Sequence, residues 1–323
     1  MNKLILIALF FLNSSIYTQE KIYRFGVVAK DTNLPFFQLV KEGCLKRARE
    51  LENVECIFVE VRAARPKIQE REIKRLVKMG VNGIAISVIN SDSTRKTIES
   101  FIPSNIPVVT FDSDLTKEVL SFNPKIRKAY IGTNNYDLGY KLAELMIKSS
   151  PEPREFCLIS GYRYSDNLNL RIKGFLEYMS KQGNQYYRMN LDCPIYSIEN
   201  FQITLNHLIR SLNFKTSDGL VPTIVVMGSW PQENANVYMN SVDQFFRKNR
   251  KSNVSVFAID TIDSQITLLE KGYSAGNVGQ RPRDMGAWVL DILLDINLGR
   301  EVRTNNYTGL TLCTPSNYET CRD

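Results

Sequence analysis

The sequence predicts an α/β protein made of two doubly wound, parallel-sheet domains whose strand ends share a cleft. Three observations carry that reading. Short, almost wholly apolar runs alternate with segments of helical periodicity along the chain, the pattern of parallel strands buried on both faces by crossover helices. The alternation starts over near residue 150, giving more strands than one sheet holds comfortably. The turns that follow the strands are rich in Asp, Asn and aromatic residues.

The first unit sets the pattern. Ile22–Ala29 is apolar nearly throughout and reads as a strand, Lys30-Asp31-Thr32-Asn33 is a polar turn, and Leu34-Pro35-Phe36-Phe37 follows. From Phe37 the spacing becomes helical, with Leu39, Val40, Gly43, Cys44, Ala48 and Leu51 recurring on one side. Two adjacent rings in this loop either staple the helix onto the core or form a wall of the ligand crevice, because loops at the carboxyl ends of parallel strands face it.

The alternation then continues. Val54–Val61, Gly83–Ile89, Ile106–Phe111 and Ala129–Ile131 read as strands. Between and after them, Ile68–Lys78, Ser91–Ile102 and Tyr136–Ile147 read as helices. In the second series Phe156–Ser160, Tyr186–Leu191, Thr223–Met227, Val254–Ile259 and Ala275–Val278 are the expected strands. Leu168–Met179, Phe201–Leu212, Ala235–Phe246, Ser264–Lys271 and Asp284–Leu298 are the expected helices.

Composition narrows the function classes. The formal charge is +7, but the basic residues are interleaved with acids (Lys46-Arg47-Arg49-Glu50, Arg71-Glu72-Lys74-Arg75). That is the pattern of solvated helix faces rather than of a nucleic-acid footprint. Lys3 precedes the short apolar run Leu4–Leu12, and small polar residues follow. This reads as a secretory signal peptide over residues 1–19, cleaved near Thr18 and too short to span a bilayer. The mature protein is then expected to be exported, with disulfides permitted. Cys313 and Cys321 flank a short tail loop, Cys44 and Cys56 sit on neighbouring elements, and Cys157 reads as plain core. No CxxC occurs, so neither a redox motif nor a zinc site is indicated.

Reading each strand to its carboxyl end collects Asn33, Phe36 and Phe37; Ser87 and Asn90; Asp112; Thr133, Asn134 and Asn135; Asn167 and Asn169; Ser229 and Trp230; Asp260; and Gln280. Carboxylates and amides suit the hydroxyls of a polyol, and rings suit the apolar face of a sugar. Several of these residues must instead cap helices, and Asn135 and Asp284 read as caps. The set contains no nucleophile–base pair, and His207, the sole histidine, lies mid-helix among Leu205, Leu208 and Ile209. H-E-x-x-H, P-loop and G-x-G-x-x-G patterns are missing, so neither an enzyme nor a cofactor is expected.

The ordered segments FGVVAKDTNLPFF, GVNGIAISVINSDS, IPVVTFDSD, YIGTNNYDLGYKLAELM, NLRIKGF, VFAID and NVGQRPRDMGAWVL resemble the periplasmic sugar-binding proteins of the ribose- and galactose-binding type. These share a fold with the ligand domains of lactose-repressor-like regulators. The resemblance runs from Ile22 to about Leu312 and implies two doubly wound lobes joined by a three-segment hinge, with crossings near Thr133, Gln280 and Tyr307. The N-terminal lobe would be residues 20–132 plus 281–307, and the C-terminal lobe 133–280 plus 308–323. The ligand-binding set so implied is Asn33, Phe36, Phe37, Ser87, Asp112, Asn134, Asn169, Trp230, Asp260 and Gln280.

Two positions depart from that family's pattern. Asn169 stands where an arginine usually precedes R-x-x-G-F, and Gly228-Ser229-Trp230 replaces an amide–acid pair. Both imply a specificity other than ribose or galactose. The implied function is capture of a small sugar-like or polyol ligand by a periplasmic, monomeric protein that delivers it to an ABC permease. The alternative is signalling to a chemoreceptor or histidine kinase. The place of a repressor's DNA-binding domain is taken by the export signal, so no nucleic-acid partner is expected.

Overall fold

The computed structural model describes residues 21–149, 152–182, 187–214, 216, 220–247 and 254–321. The export signal expected over residues 1–19 lies outside the described residues. The chain forms two lobes of like design, each a sheet with helices on both faces. In the first, β1 (Tyr23–Val28), β2 (Val54–Val59), β3 (Gly83–Ile86), β4 (Val108–Phe111) and β5 (Ala129–Gly132) make a parallel sheet in the order β2-β1-β3-β4-β5. The second lobe repeats it with β6 (Arg154–Ser160), β7 (Tyr187–Met189), β9 (Val221–Val226), β10 (Ser255–Ile259) and β11 (Gly276–Gly279) in the order β7-β6-β9-β10-β11. A two-residue strand, β8 (Ile195–Tyr196), pairs with the end of β6. The strand order of an open doubly wound sheet reverses between β1 and β3, and between β6 and β9, which is where such folds bind ligands.

The two faces of each sheet are closed by helices. In the first lobe α1 (Pro35–Leu51) and α10 (Pro282–Asn297) cover one face through Phe36, Phe37, Val40, Met285, Val289 and Leu293. The other face is covered by α2 (Pro66–Lys78), α3 (Ser91–Phe101) and α4 (Lys117–Phe122) through Ile73, Leu76, Ile98 and Val119. In the second lobe α5 (Asn135–Ser149) and α6 (Asp166–Ser180) cover one face. The opposite face carries α7 (Phe201–Ser211), α8 (Ala235–Arg247) and α9 (Asp263–Glu270).

Each lobe therefore has one helix pair that meets through glycines. A Cβ on Gly43 would lie 2.7 Å from the carbonyl carbon of Arg283, and one on Gly286 would lie 2.8 Å from the amide of Cys44. The mirror pair is α5–α6. A Cβ on Gly139 would lie 2.6 Å from the carbonyl carbon of Arg171, and one on Gly174 would lie 2.9 Å from that of Tyr136. Small residues at both crossings let the backbones approach, so α6 is seated on α5 by main-chain contact.

The chain passes between the lobes three times: between β5 and α5, between β11 and α10, and between β12 (Asn305–Tyr307), which pairs with β5, and β13 (Thr311–Cys313), which pairs with β11. Arg127 ties the third passage down, with its guanidinium on Asp114 at 2.5 Å and donating to the Thr304 carbonyl at 2.9 Å.

Most sequence-read elements match in position. The exceptions are α4, β8, β12 and β13, all short, which hydrophobic period alone does not single out. The cysteines differ more. Cys44–Cys56, Cys157–Cys193 and Cys313–Cys321 are all disulfides. The reading of Cys157 as plain core is thus corrected: it lies on the buried β6, but its sulfur reaches the turn after β7.

Candidate functional site

The strand ends of the two lobes face each other across a cleft, and each lobe presents one buried aspartate in the same strained conformation. Asp112, after β4, has φ 57°, and Asp260, after β10, has φ 79°. Positive φ is uncommon for a residue with a Cβ. It persists only where surrounding bonds over-determine it. The Asp112 amide donates to the Ile131 carbonyl (3.0 Å), while its carbonyl accepts from the Tyr130 hydroxyl (2.9 Å). The Asp260 amide donates to the Val278 carbonyl (2.9 Å), and its carbonyl accepts from the Asn277 amide (3.1 Å). Two strands of unrelated sequence hold an aspartate in one pose by the same pair of bonds.

Side chains then aim each carboxylate. The Ser87 hydroxyl donates to Asp112 Oδ2 at 2.8 Å, and Gln280 Nε2 donates to Asp260 Oδ1 at 2.7 Å. Behind Asp260 a buried amide chain runs from Asn277 to Gln232 and Gln265, whose Nε2 also donates to the Ile259 carbonyl at 2.9 Å. Burial pushes the Asp260 carboxyl above its usual range, opposed by Arg171 and by hydrogen bonds from Gln280 and Ser229.

Aromatic walls complete the cleft. Phe36 and Phe37 meet edge to face with centroids 5.2 Å apart, and Phe37 rests likewise on Phe111. Pro35 at the first turn of α1 sets the entry of that loop. From the other lobe comes Trp230, which opens a short 3-10 turn after β9 and is 5% exposed. Both phenylalanines belong to the core cluster as well as to the cleft lining, so the two roles weighed for them coincide.

Helix α6 contributes Asn167, Leu168 and Arg171. The Arg171 guanidinium is spent on the protein, with Nε on Asn135 Oδ1 (2.8 Å), Nη1 on the Met227 carbonyl (2.8 Å) and Nη2 on Gln280 Oε1 (3.3 Å). It acts as a rigid peg under the cleft floor. Lys30, Glu199 and Glu233 finish the lining. Burial raises the Glu199 carboxyl, partly offset by Lys30. Burial first, then the charges of Asp260, Asp31 and Glu199, lift Glu233 to about 7. Asn167 Oδ1, Glu199 Oε1 and Glu233 Oε1 are buried without a hydrogen-bond partner.

The enclosed space is about 40 Å³, well below the roughly 300–1,000 Å³ of an ordinary ligand pocket, so the lobes stand drawn together. Outside Glu233 it gives way to a groove of about 710 Å³ along Asn33, Gln38, Thr261 and Ser264.

The structure brings Phe36, Phe37, Asp112, Trp230, Asp260 and Gln280 to one cavity. Ser87 stands behind it, fully buried, as the bond donor to Asp112. Three sequence-read positions lie elsewhere. Asn33 is exposed in the outer groove. Asn134 caps α5, accepting from the Asp137 amide at 3.3 Å, whereas Asn135, read as the cap, is the buried partner of Arg171. Asn169 is exposed and bonds the Arg163 carbonyl. Helix geometry explains it: α6 starts at Asp166, so Asn167 and Arg171 share the inner face and Asn169, two residues on, is turned about 200° away. Asp284 lies in the first turn of α10, behind the N-cap Arg281. Lys30, Glu199, Glu233 and Arg171 were not singled out as cleft residues from the sequence. The helix start at Asp166 was the one signal that would have found Arg171.

Among the described residues no group of His, Cys, Asp and Glu is arranged to hold a metal, and no helix is long and apolar enough to cross a membrane. The model of the periplasmic binding protein domain matches residues 25–301. The D-galactose/methyl-galactoside binding periplasmic protein MglB of Haemophilus influenzae is 20% identical over 288 residues, covering 86% of this chain and 82% of MglB. Among solved structures, the glucose-galactose binding protein GanP of Geobacillus stearothermophilus superposes with a TM-score of 0.77 at 22% identity, over 92% of this chain and 99% of GanP. An ABC transporter solute-binding protein of Burkholderia graminis in complex with D-arabinose gives 0.74 at 26%, over 92% of this chain and 96% of that one. XylFII in the XylFII–LytSN complex gives 0.72 at 18%, over 91% and 98%. Two like lobes, three crossings and paired strand-end aspartates thus accompany a family match over most of the length, and the chain belongs to the periplasmic binding protein domain family.

Proposed function

We propose that this protein is an exported, periplasmic solute-binding protein that captures a small sugar-like ligand between its lobes and delivers it to an ABC permease. The observation that carries the reading is the pairing of Asp112 and Asp260 across one cavity with Phe36, Phe37 and Trp230 around it. Carboxylates accept from hydroxyls, and rings cover the apolar face of a pyranose or furanose. The relatives described above bind galactosides, glucose or arabinose by their names, which supports the class and leaves the particular ligand to this chain's own lining. The ligand enters with the lobes parted and favours the closed form by its differential affinity for it.

Thermal unfolding of the mature protein against sugars and polyols tests this. A ligand at about a hundred times its Kd stabilises the folded state by about 2.7 kcal/mol, a shift of several degrees. A flat response to neutral and charged sugars alike would remove the capture reading. A sensory output is the second reading, favoured by the likeness to XylFII in its complex with LytSN. Stimulation of a reconstituted permease's ATPase by the loaded protein, against binding to a sensor kinase's external domain, separates the two.

A further inference from the structure

Within that capture reading, on which the inference rests, we propose that the ligand carries a protonated amine: an amino sugar or amino polyol rather than a neutral sugar. The lining contains four carboxylates, Asp112, Glu199, Glu233 and Asp260, against two cations, Lys30 and Arg171. Two negative charges are left in formal excess. Arg171 donates to Asn135, Met227 and Gln280, and Lys30 faces Glu199.

The fully buried part of the unused bonding capacity is acceptor. The lining atoms buried without a partner are Asn167 Oδ1, Glu199 Oε1 and Glu233 Oε1, and all three are acceptors. Asn167 is 5% exposed, so its carbonyl has no access to bulk water, and an unmet acceptor there is costly. A hydroxyl brings one donor together with lone pairs that need donors in return, whereas an ammonium brings three donors, no acceptor and a positive charge. Of the two, the ammonium is the one that also answers the excess negative charge of the lining.

Glu233 is the residue best placed to receive the amine. It borders both the enclosed cavity and the outer groove. Asp260, Asp31 and Glu199 act on it with like charge, while Arg283, on the groove side, is already engaged by Glu42 at 2.8 Å. A cation beside Glu233 relieves three repulsions at once, and a neutral ligand relieves none.

The test is calorimetric titration of the mature protein at pH 7 with matched pairs: D-galactosamine against D-galactose, and D-glucosamine against D-glucose. The expected result is at least tenfold tighter binding of the amino member of a pair. That preference should shrink to within about threefold in Glu233→Gln, and should weaken in half-molar salt. Glu199→Gln serves as the second variant should Glu233→Gln fail to fold. Equal or tighter binding of the hydroxyl sugar overturns the inference and leaves the capture reading standing. Binding of neither series, nor of neutral sugars and polyols in the thermal panel, overturns both.

Discussion

Replacing Gly139 with alanine sets two effects of opposite sign against each other. In an isolated helix the change stabilises by about 1 kcal/mol, because glycine has the greater backbone freedom to lose. Here the new methyl would lie 2.6 Å from the Arg171 carbonyl carbon and 2.8 Å from its Cα, on the facing helix. Ordinary contact begins near 3.4 Å, so α5 and α6 must part by roughly 1 Å, and overpacking of this kind costs about 1–3 kcal/mol. The obstructing atoms are backbone, which cannot rotate aside, so the upper half of that range applies. Gly139→Ala should therefore be net destabilising by about 1–2 kcal/mol in urea unfolding. Because the residue pushed is Arg171, whose guanidinium bonds Gln280 and Asn135, ligand affinity should fall as well. Gly309→Ala is the control, with nothing within 4 Å of the added carbon. A Gly139→Ala variant as stable as wild type or more so would refute the main-chain seating of α6.

Asp112→Gly removes the carboxylate but tolerates the positive φ, so it should cut ligand affinity at least a hundredfold while circular dichroism stays native; Trp230→Ala should do likewise, and normal binding by both would displace the cleft assignment. Glu233 sits near 7 against an ordinary 4.5, so its contribution is fully present below about pH 4.5 and is lost as pH rises through 7. One unit is about 1.4 kcal/mol, so after allowing for partial exposure Glu233→Gln should exceed wild type by about 2–3 kcal/mol at pH 8 and match it at pH 4; a difference that does not vary with pH would exclude a strained carboxylate. Severing Cys157–Cys193, separated by 36 residues, should cost about 4 kcal/mol by loop entropy, read as a lower urea midpoint for Cys193→Ala with Cys157→Ala. An unchanged midpoint would mean that the bridge adds nothing.

Much of the lobe architecture was legible because β1, β3, β4, β9 and β10 are buried on both faces and so nearly free of polar residues. Asp112 and Asp260 stood out for the same reason, each breaking an apolar run at its end. The remaining cleft residues were hidden by geometry that linear spacing does not record. Glu199 and Ile198 both have positive φ, which turns the loop before α7 inward, and nothing in the residue types there announces it. Lys30 belongs to a turn that looks solvated but is 4% exposed, set in the lining of the cavity. The exchange of roles between Asn134 and Asn135 turned on one residue at a helix start, where pattern reading is least sharp.

The three passages between the lobes also order events on the growing chain. The face of the first sheet formed by Phe25, Val27, Val109 and Ile131 is covered by Met285, Val289 and Leu293 of α10, and its edge is closed when Asn305 pairs with Tyr130. Neither partner exists until almost the whole polypeptide has been made. The second sheet has β6, β7, β9, β10 and β11 in hand by Gly279. The lobe begun first is thus the lobe finished last, and throughout synthesis it holds an unshielded apolar surface that invites chaperone engagement.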